Sequence, residues 1–169
     1  MCEEDLRPME ILIRNLSKKR IIPAGRLRRL STDVMKTLLR SLPYSNPQVS
    51  ILFVDDTAMR RLNKKFRGVD RATDVLSFPM LEGEPSAGAN DMPLPLGDIV
   101  ISLEAARRQS ADVGHSLCKE IALLLCHGFL HLLHYDDYEP SARRRMFAKQ
   151  RRLMRRLEKA GIFRSEVGK

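Results

Sequence analysis

The sequence contains no tryptophan, and its three tyrosines and six phenylalanines make up only 5% of the chain. Proteins that grip unpaired nucleic-acid bases commonly stack them on exposed aromatic rings. With so few rings, this chain has little material for a stacking platform. Any contact with a nucleic acid is therefore expected to run mainly through phosphate groups.

Cysteine is scarce as well, with only Cys2, Cys118 and Cys126 in the chain. An odd number without a C-x-x-C spacing argues against a disulfide framework and against a zinc site built from thiolates. Cys126 adjoins a histidine, but consecutive side chains on a helix point about 100° apart. We interpret Cys126 as a small core residue and expect a reducing compartment such as the cytoplasm.

Long hydrophobic runs are also missing, since no stretch reaches the roughly eighteen apolar residues of a membrane-spanning helix. The segment from Met1 to Pro8 carries three acids and no apolar stretch of an export signal. The sequence therefore predicts a cytoplasmic protein without a membrane partner. Its 169 residues, 43% of them hydrophobic, are expected to form one domain over residues 1–169.

Positive charge is concentrated at the end of the chain. Residues 141–169 hold eleven Lys or Arg and two acids, whereas residues 1–140 hold nineteen of each sign. A charged run is usually only a solvated helix face. A basic surface of this density also suits a polyanion, because it neutralises phosphates and releases counterions. The candidate RNA-binding residues in this predicted basic helix and tail are Arg151, Arg152, Arg155 and Arg156.

Apolar periodicity predicts four strands and about five helices, hence an α+β (α/β-like) fold with a small mixed four-stranded sheet. The predicted strands are residues 9–14, 49–54, 73–78 and 99–102. The predicted helices are residues 26–41, a helix with Met59, Leu62 and Phe66 as its buried stripe, residues 103–110, a long apolar helix after Ser116, and a basic helix from Pro140. Residues 81–96 lack periodicity and predict a flexible loop.

Two histidines, His127 and His131, lie four residues apart in the long apolar helix. Side chains at this spacing share one helix face, so both rings can point at a single ion. The spacing is that of the zinc-binding motif H-E-x-x-H, but Gly128 replaces the glutamate that acts there as general base. Such pairs also arise by chance. Three of the four histidines lie within eight residues, however, where buried imidazoles need partners, and this favours a metal site.

A third ligand has to come from beyond these two rings. His134 lies about 10 Å along the helix axis from His127, too far for both to meet an ion that also binds His131. Asp136 and Asp137 follow the helix, and either carboxylate can complete a three-ligand site that leaves one position for water. The residue pattern alone leaves this choice open.

Three segments of the chain carry recognisable motifs. They are Asn63–Arg67 with Thr73–Pro79, then Leu96–Ile99, and then His127–Asp137. Together these segments resemble the YbeY family of endoribonucleases, which are ribosomal RNA maturation factors with a metalloprotease-like fold. The third segment departs from the family pattern H-G-x-L-H-L-x-G-Y-D-H at two positions, because His134 replaces a glycine and Asp137 replaces the third metal-binding histidine.

The resemblance implies a metal-dependent endoribonuclease that cleaves single-stranded RNA during maturation of the small ribosomal subunit. It implies a zincin-like metal helix that binds one divalent ion, expected to be zinc, through His127, His131 and, by position, Asp137. It also implies a catalytic role for Arg67, which would steady the charge on the phosphate. The expected partners are ribosomal RNA and small-subunit proteins or assembly factors, while the oligomeric state is left open.

Other interpretations agree with the same residues. A non-catalytic ribosome assembly factor would bind RNA through the basic tail and use the metal for structure. Two histidines and one carboxylate also form ferrous sites for oxygen chemistry, although nothing in the sequence indicates a cosubstrate pocket. For Arg67 the alternative is a surface ion pair. Asp74 and Ser77 are interpreted as residues that hold their strand in place.

Overall fold

The computed structural model describes residues 8–83 and 92–163, in which one four-stranded sheet packs with five helices. The predicted α+β fold is confirmed. The strands are β1 (Glu10–Asn15), β2 (Pro47–Val54), β3 (Val75–Pro79) and β4 (Leu94–Ser102). The helices are α1 (Ala24–Leu39), α2 (Asp56–Arg67), α3 (Leu103–Val113), α4 (Leu117–Leu132) and α5 (Pro140–Lys159).

The sheet is mixed, and its strands follow the order β1-β2-β4-β3. Strands β1, β2 and β4 are parallel, while β3 pairs antiparallel with β4 and forms one edge. Parallel neighbours need a crossover connection. Helix α1 supplies it between β1 and β2, and the segment that contains α2 and β3 supplies it between β2 and β4.

The two faces of the sheet are covered by different helices. On one face, α1 and α4 pack against the sheet around Phe53, Ile99 and Phe129, which are almost completely buried. On the other face, Met59 of α2 packs against Leu76 and Val100. Because α4 contacts α1, α3 and α5 as well as the sheet, its sequence is apolar on nearly every side.

None of the five described helices is by itself long and apolar enough to cross a bilayer. Helices α3 and α4 reach the required length and hydropathy only as a pair, and they are bent by 115° where they meet. Eleven of the sixteen residues of α4 are buried within the fold.

Cys126 is a core residue, as predicted from the rotation of about 100° between its side chain and that of His127 on a helix. Its side chain is completely buried in α4, and burial raises the pKa of its thiol to about 12. The thiol is therefore protonated and unreactive at neutral pH. Cys118 is buried as well, whereas Cys2 lies outside the described residues.

Two predictions of local structure were wrong. Strand β4 begins at Leu94, so the last three residues of the predicted loop 81–96 belong to the sheet, where pairing with β2 prevails over the local proline content. Residues 84–91 of that loop lie outside the described residues. Phe66 is 54% exposed rather than buried, because α2 covers only part of the sheet face; its ring meets Phe78 edge-on at 5.0 Å.

Helix α4 approaches the sheet most closely at Gly128. A β-carbon there would lie 2.7 Å from Cγ2 of Ile99 and 3.1 Å from Oγ of Ser77. The Ser77 hydroxyl also donates a hydrogen bond to the Gly128 carbonyl over 3.3 Å. The glutamate of an H-E-x-x-H motif has no space in this packing, which explains why glycine stands at its position.

We expect Gly128→Ala to lower the free energy of unfolding by about 1–3 kcal/mol, because its methyl group would overlap Ile99 and push α4 from the sheet. Urea denaturation measures this change. Gly25→Ala is the matched control, since Gly25 also lies in a helix but no described atom lies within 4 Å of the place that its new methyl group would occupy. The control should be neutral or stabilising by up to about 1 kcal/mol. Equal losses in both variants would contradict the packing argument.

Candidate metal centre

His127 and His131 converge near the carboxyl end of α4. Their Nε2 atoms lie 3.1 Å apart, and their ring centroids are 4.7 Å apart at an interplanar angle of 76°. The four-residue spacing places both rings on one helix face, and neither ring is completely buried. The rings therefore present two nitrogens to one position that solvent can reach.

A left-handed turn ends α4 and redirects the chain past these rings. His134 has a φ of 61°, and its N–H donates to the carbonyl of His131 over 3.0 Å. The N–H of Tyr135 donates to the carbonyl of Leu130, also over 3.0 Å. These two bonds form the Schellman motif that commonly closes a helix with glycine. Here histidine occupies the left-handed position, at a cost of roughly 1 kcal/mol.

The turn brings Asp137 beside the two histidines. Its Oδ2 lies 3.9 Å from Nε2 of His127, and the three side chains each offer a ligand atom within 4.8 Å of the others. The carboxylate side chain is 30% exposed, which leaves one side of the group open. The turn thus brings together three possible metal ligands. They are His127, His131 and Asp137, which are hereafter called the metal group.

The two other candidates for a third ligand point elsewhere. The carboxylate of Asp136 accepts a hydrogen bond from the backbone N–H of Tyr138 over 3.1 Å, which caps the turn locally. Nε2 of His134 lies 2.8 Å from the carbonyl oxygen of Leu81. The left-handed backbone at His134 therefore turns its ring towards residue 81 and away from the other histidines.

The metal group matches the dimensions of a single ion. Two nitrogens bound tetrahedrally to zinc at 2.0–2.1 Å are about 3.3 Å apart, close to the observed 3.1 Å between His127 and His131. The 3.9 Å distance between Nε2 of His127 and Oδ2 of Asp137 would have to shorten by roughly half an ångström. A small rotation of the Asp137 side chain is enough for this change. The group can bind a metal through three protein ligands and leave a further position open.

The Nδ1 atoms of both histidines, which face away from the metal position, also have hydrogen-bond partners. Nδ1 of His131 lies 2.9 Å from the carbonyl oxygen of Tyr135. Nδ1 of His127 lies 3.1 Å from Oε1 of Gln150, which α5 brings to the site. Sequence analysis missed Gln150. The available signal was its position as a polar residue on the apolar face of α5.

The electrostatic surroundings of His131 favour its neutral form. Burial lowers its pKa below the ordinary value, and the nearby His127 lowers it further, while Asp137 and the Tyr135 carbonyl act in the opposite sense. Neutral imidazole is the form that binds metals. The positive charge of Arg67 also lowers this pKa, as the last of these contributions.

Arg67 is exposed at the end of α2, and no acidic side chain in residues 8–83 or 92–163 forms an ion pair with it. Two other cations of the same helix behave differently. Arg60 and Lys64 both bind the carboxylate of Asp70, at 2.8 and 3.0 Å. The surface ion pair considered for Arg67 is therefore absent from the described part of the chain.

Asp74 and Ser77 have structural contacts. The carboxylate of Asp74 accepts hydrogen bonds from the backbone N–H of Val75 over 2.8 Å and from the amide of Gln109 over 2.9 Å. Ser77 binds the backbone of α4 at Gly128. These contacts tie β3 to α3 and α4, in agreement with the interpretation that both residues hold the strand in place.

Helix α5 separates its apolar and basic residues onto different faces. Its buried residues dock the helix onto the core, and all four candidate RNA-binding arginines are exposed. Phosphate binding by these arginines stays a prediction, and residues 164–169 of the tail lie outside the described residues. The buried residues are Met146, Gln150, Leu153, Met154 and Leu157.

A family model described as Endoribonuclease YbeY matches residues 12–158. The chain belongs to the YbeY family. Endoribonuclease YbeY of Pelotomaculum thermopropionicum is 45% identical to it over 150 residues, which cover 88% of this chain and 97% of that protein. The protein of the same name from Desulforamulus reducens is 43% identical with the same coverage. A solution structure from Thermotoga maritima is 26% identical with a TM-score of 0.61, over 92% and 94% of the two chains.

Membership of the YbeY family confirms the resemblance inferred from the three sequence segments and supports an endoribonuclease role. The metal group is consistent with a metal-binding nuclease.

We expect His131→Ala to lose most of its bound metal and Asp137→Ala to lose part of it. The Nε2 atoms of His127 and His131 already lie at the spacing that zinc requires, whereas the carboxylate of Asp137 lies farther away. Competition with a chromophoric chelator measures the affinity for zinc. His134→Gly is the control: it removes a neighbouring imidazole that points to residue 81 and places glycine at a left-handed position. Full occupancy in His131→Ala, or loss in His134→Gly, would show that the ion is held elsewhere.

Proposed function

We propose that this chain is a metal-dependent endoribonuclease that cleaves single-stranded RNA in the maturation of ribosomal RNA, especially that of the small subunit. The observation that supports this proposal most directly is the open metal group of His127, His131 and Asp137. Family membership supplies the ribonuclease activity. The role in maturation is inferred from the resemblance to the family. The cytoplasmic location is inferred from the cysteine content.

In this proposal Nε2 of His127, Nε2 of His131 and the carboxylate of Asp137 hold one divalent ion. Zinc is the expected ion, since imidazole and carboxylate are among its usual ligands. When bound, the ion supplies Lewis-acid chemistry at the phosphate and lowers the pKa of the attacking hydroxyl or water. Gly128 cannot act as the base that a glutamate provides in H-E-x-x-H, which increases the need for this activation.

Arg67 would bind the phosphate that is cleaved. Its guanidinium carries a fixed positive charge and can donate two parallel hydrogen bonds to phosphate oxygens. It stands at the end of α2 without an ion-pair partner among the described residues, so binding phosphate breaks no ion pair there. Its charge would then stabilise the additional negative charge that develops on the phosphate in the transition state.

The exposed arginines of α5 would bind RNA outside the reaction centre. Their side chains reach solvent while the apolar face of the helix stays docked on the core. Exposed cations bind phosphates without reading sequence, and they accelerate association. Ribosomal RNA and small-subunit proteins or assembly factors are the proposed partners. The four arginines concerned are Arg151, Arg152, Arg155 and Arg156.

A non-catalytic RNA-binding assembly factor is the second candidate, and Asp137 is the residue that favours it. A carboxylate in place of the family's histidine lowers the net charge of a metal site and weakens the ion as a Lewis acid. RNA binding that persists without cleavage under every divalent metal would support this second function. Cleavage that is lost on chelation and restored by added metal would support the nuclease.

We expect Arg67→Ala to lower RNA turnover by at least tenfold while zinc binding and stability are retained, because its guanidinium is assigned to the phosphate and not to the fold. Single-turnover cleavage of a labelled single-stranded RNA measures the effect. Arg61→Ala is the control, since Arg61 is an exposed arginine on another face of the same helix. Unchanged cleavage by Arg67→Ala, or an equal loss in Arg61→Ala, would remove the assigned role.

We expect reversal of the four exposed α5 arginines to glutamate to weaken RNA binding and to flatten its dependence on salt, because fewer counterions are released. Affinity measured between about 50 and 200 mM salt gives the slope. Reversing the exposed Lys18, Arg20, Arg28 and Arg29 is the control for net charge, because it changes the charge by the same amount. A slope that stays at the wild-type value would mean that the α5 arginines are only solvated. The four reversed residues are Arg151, Arg152, Arg155 and Arg156.

A further inference from the structure

Gln150 contacts the metal group from the side that faces away from the metal position. Its Oε1 lies 3.1 Å from Nδ1 of His127, although 23 residues separate the two in sequence. Its side chain is 9% exposed and projects from the apolar face of α5. A polar group buried on such a face needs a hydrogen-bond partner, and His127 provides one.

His131 shows what such a contact does to an imidazole. The carbonyl oxygen of Tyr135 can only accept a hydrogen bond, so Nδ1 of His131 carries the hydrogen and Nε2 keeps its lone pair. If His127 likewise donates from Nδ1 to Gln150, two Nε2 lone pairs face each other at 3.1 Å. Two nitrogens this close are bridged by either a ring proton or a metal ion, and when both hydrogens are on Nδ1 no proton is left between them, so this pattern suits a bound metal.

We propose that Gln150 is a positioning residue that holds His127 in its Nδ1–H tautomer, so that Nε2 is the atom that binds the metal. The inference rests on the proposed metal-dependent function. Hydrogen-bond partners of metal-binding histidines typically change metal affinity about 10- to 100-fold. An amide also suits a site from which metal can dissociate. When His127 adopts the Nε2–H tautomer and donates a hydrogen bond to Nε2 of His131, the amide can rotate and donate to the bare Nδ1 of His127, whereas a carboxylate can only accept.

Zinc affinity of the full chain, measured by competition with a chromophoric chelator, tests this role. Gln150→Leu should bind zinc about 10- to 100-fold more weakly, because leucine fills the space but accepts no hydrogen bond. Gln150→Glu should bind zinc at least as tightly as wild type, because a carboxylate accepts the same bond. Gln109→Leu is the control: Gln109 is another glutamine that solvent reaches only in part, but its hydrogen bond goes to Asp74, and wild-type affinity is expected.

The ¹⁵N chemical shifts of the His127 imidazole in zinc-loaded wild type give a second test, which stands even if Gln150→Leu does not fold. The expected result is a protonated Nδ1 and a metal-bound Nε2. A metal-bound Nδ1, or wild-type zinc affinity in Gln150→Leu, would overturn the role of Gln150 alone. Wild-type protein that binds no zinc would overturn the metal site and this inference together.

Discussion

The metal group depends on the left-handed turn that ends α4. A helix alone can align His127 and His131, but every later residue on the same face lies too far along the axis. With a φ of 61° at His134, the chain reverses and the last carbonyls of α4 find donors. The same turn presents the Tyr135 carbonyl to one ring and the Asp137 carboxylate to the other. One backbone conformation thus supplies both a ligand and a hydrogen-bond acceptor.

The second requirement is that packing on several sides holds α4 in place. Close contact at Gly128 sets its distance from the sheet, and helices on the other sides bury most of its residues. Helix α5 completes this enclosure and delivers Gln150 to the back of His127. The metal group is therefore assembled from a rigid helix, a tight turn and a neighbouring helix. Rigid support of this kind keeps ligands in position without an ion to organise them.

The sequence predicted the parts of the site that depend on local periodicity. The spacing of His127 and His131 places them on one helix face whatever packs around the helix. The third ligand could not be chosen in this way, because it depends on the backbone angle of His134, which histidine adopts less often than glycine. The role of Gln150 could not be predicted from the sequence, for a different reason. Its contact joins two helices across 23 residues, and only the docking of α5 determines it.

The carboxylate of Asp137 would lower the net charge of a metal site at this position. Three neutral histidines would leave a divalent ion its full charge of +2, whereas Asp137 reduces the net charge to +1. An ion with less net charge attracts and polarises phosphate less strongly. Arg67 and the four arginines of α5 are exposed cations whose charge does not depend on a bound ion. In the proposed function, attraction of RNA would therefore depend more on fixed side-chain charges, which chelation does not remove. RNA binding and metal-dependent chemistry would then be carried by different residues.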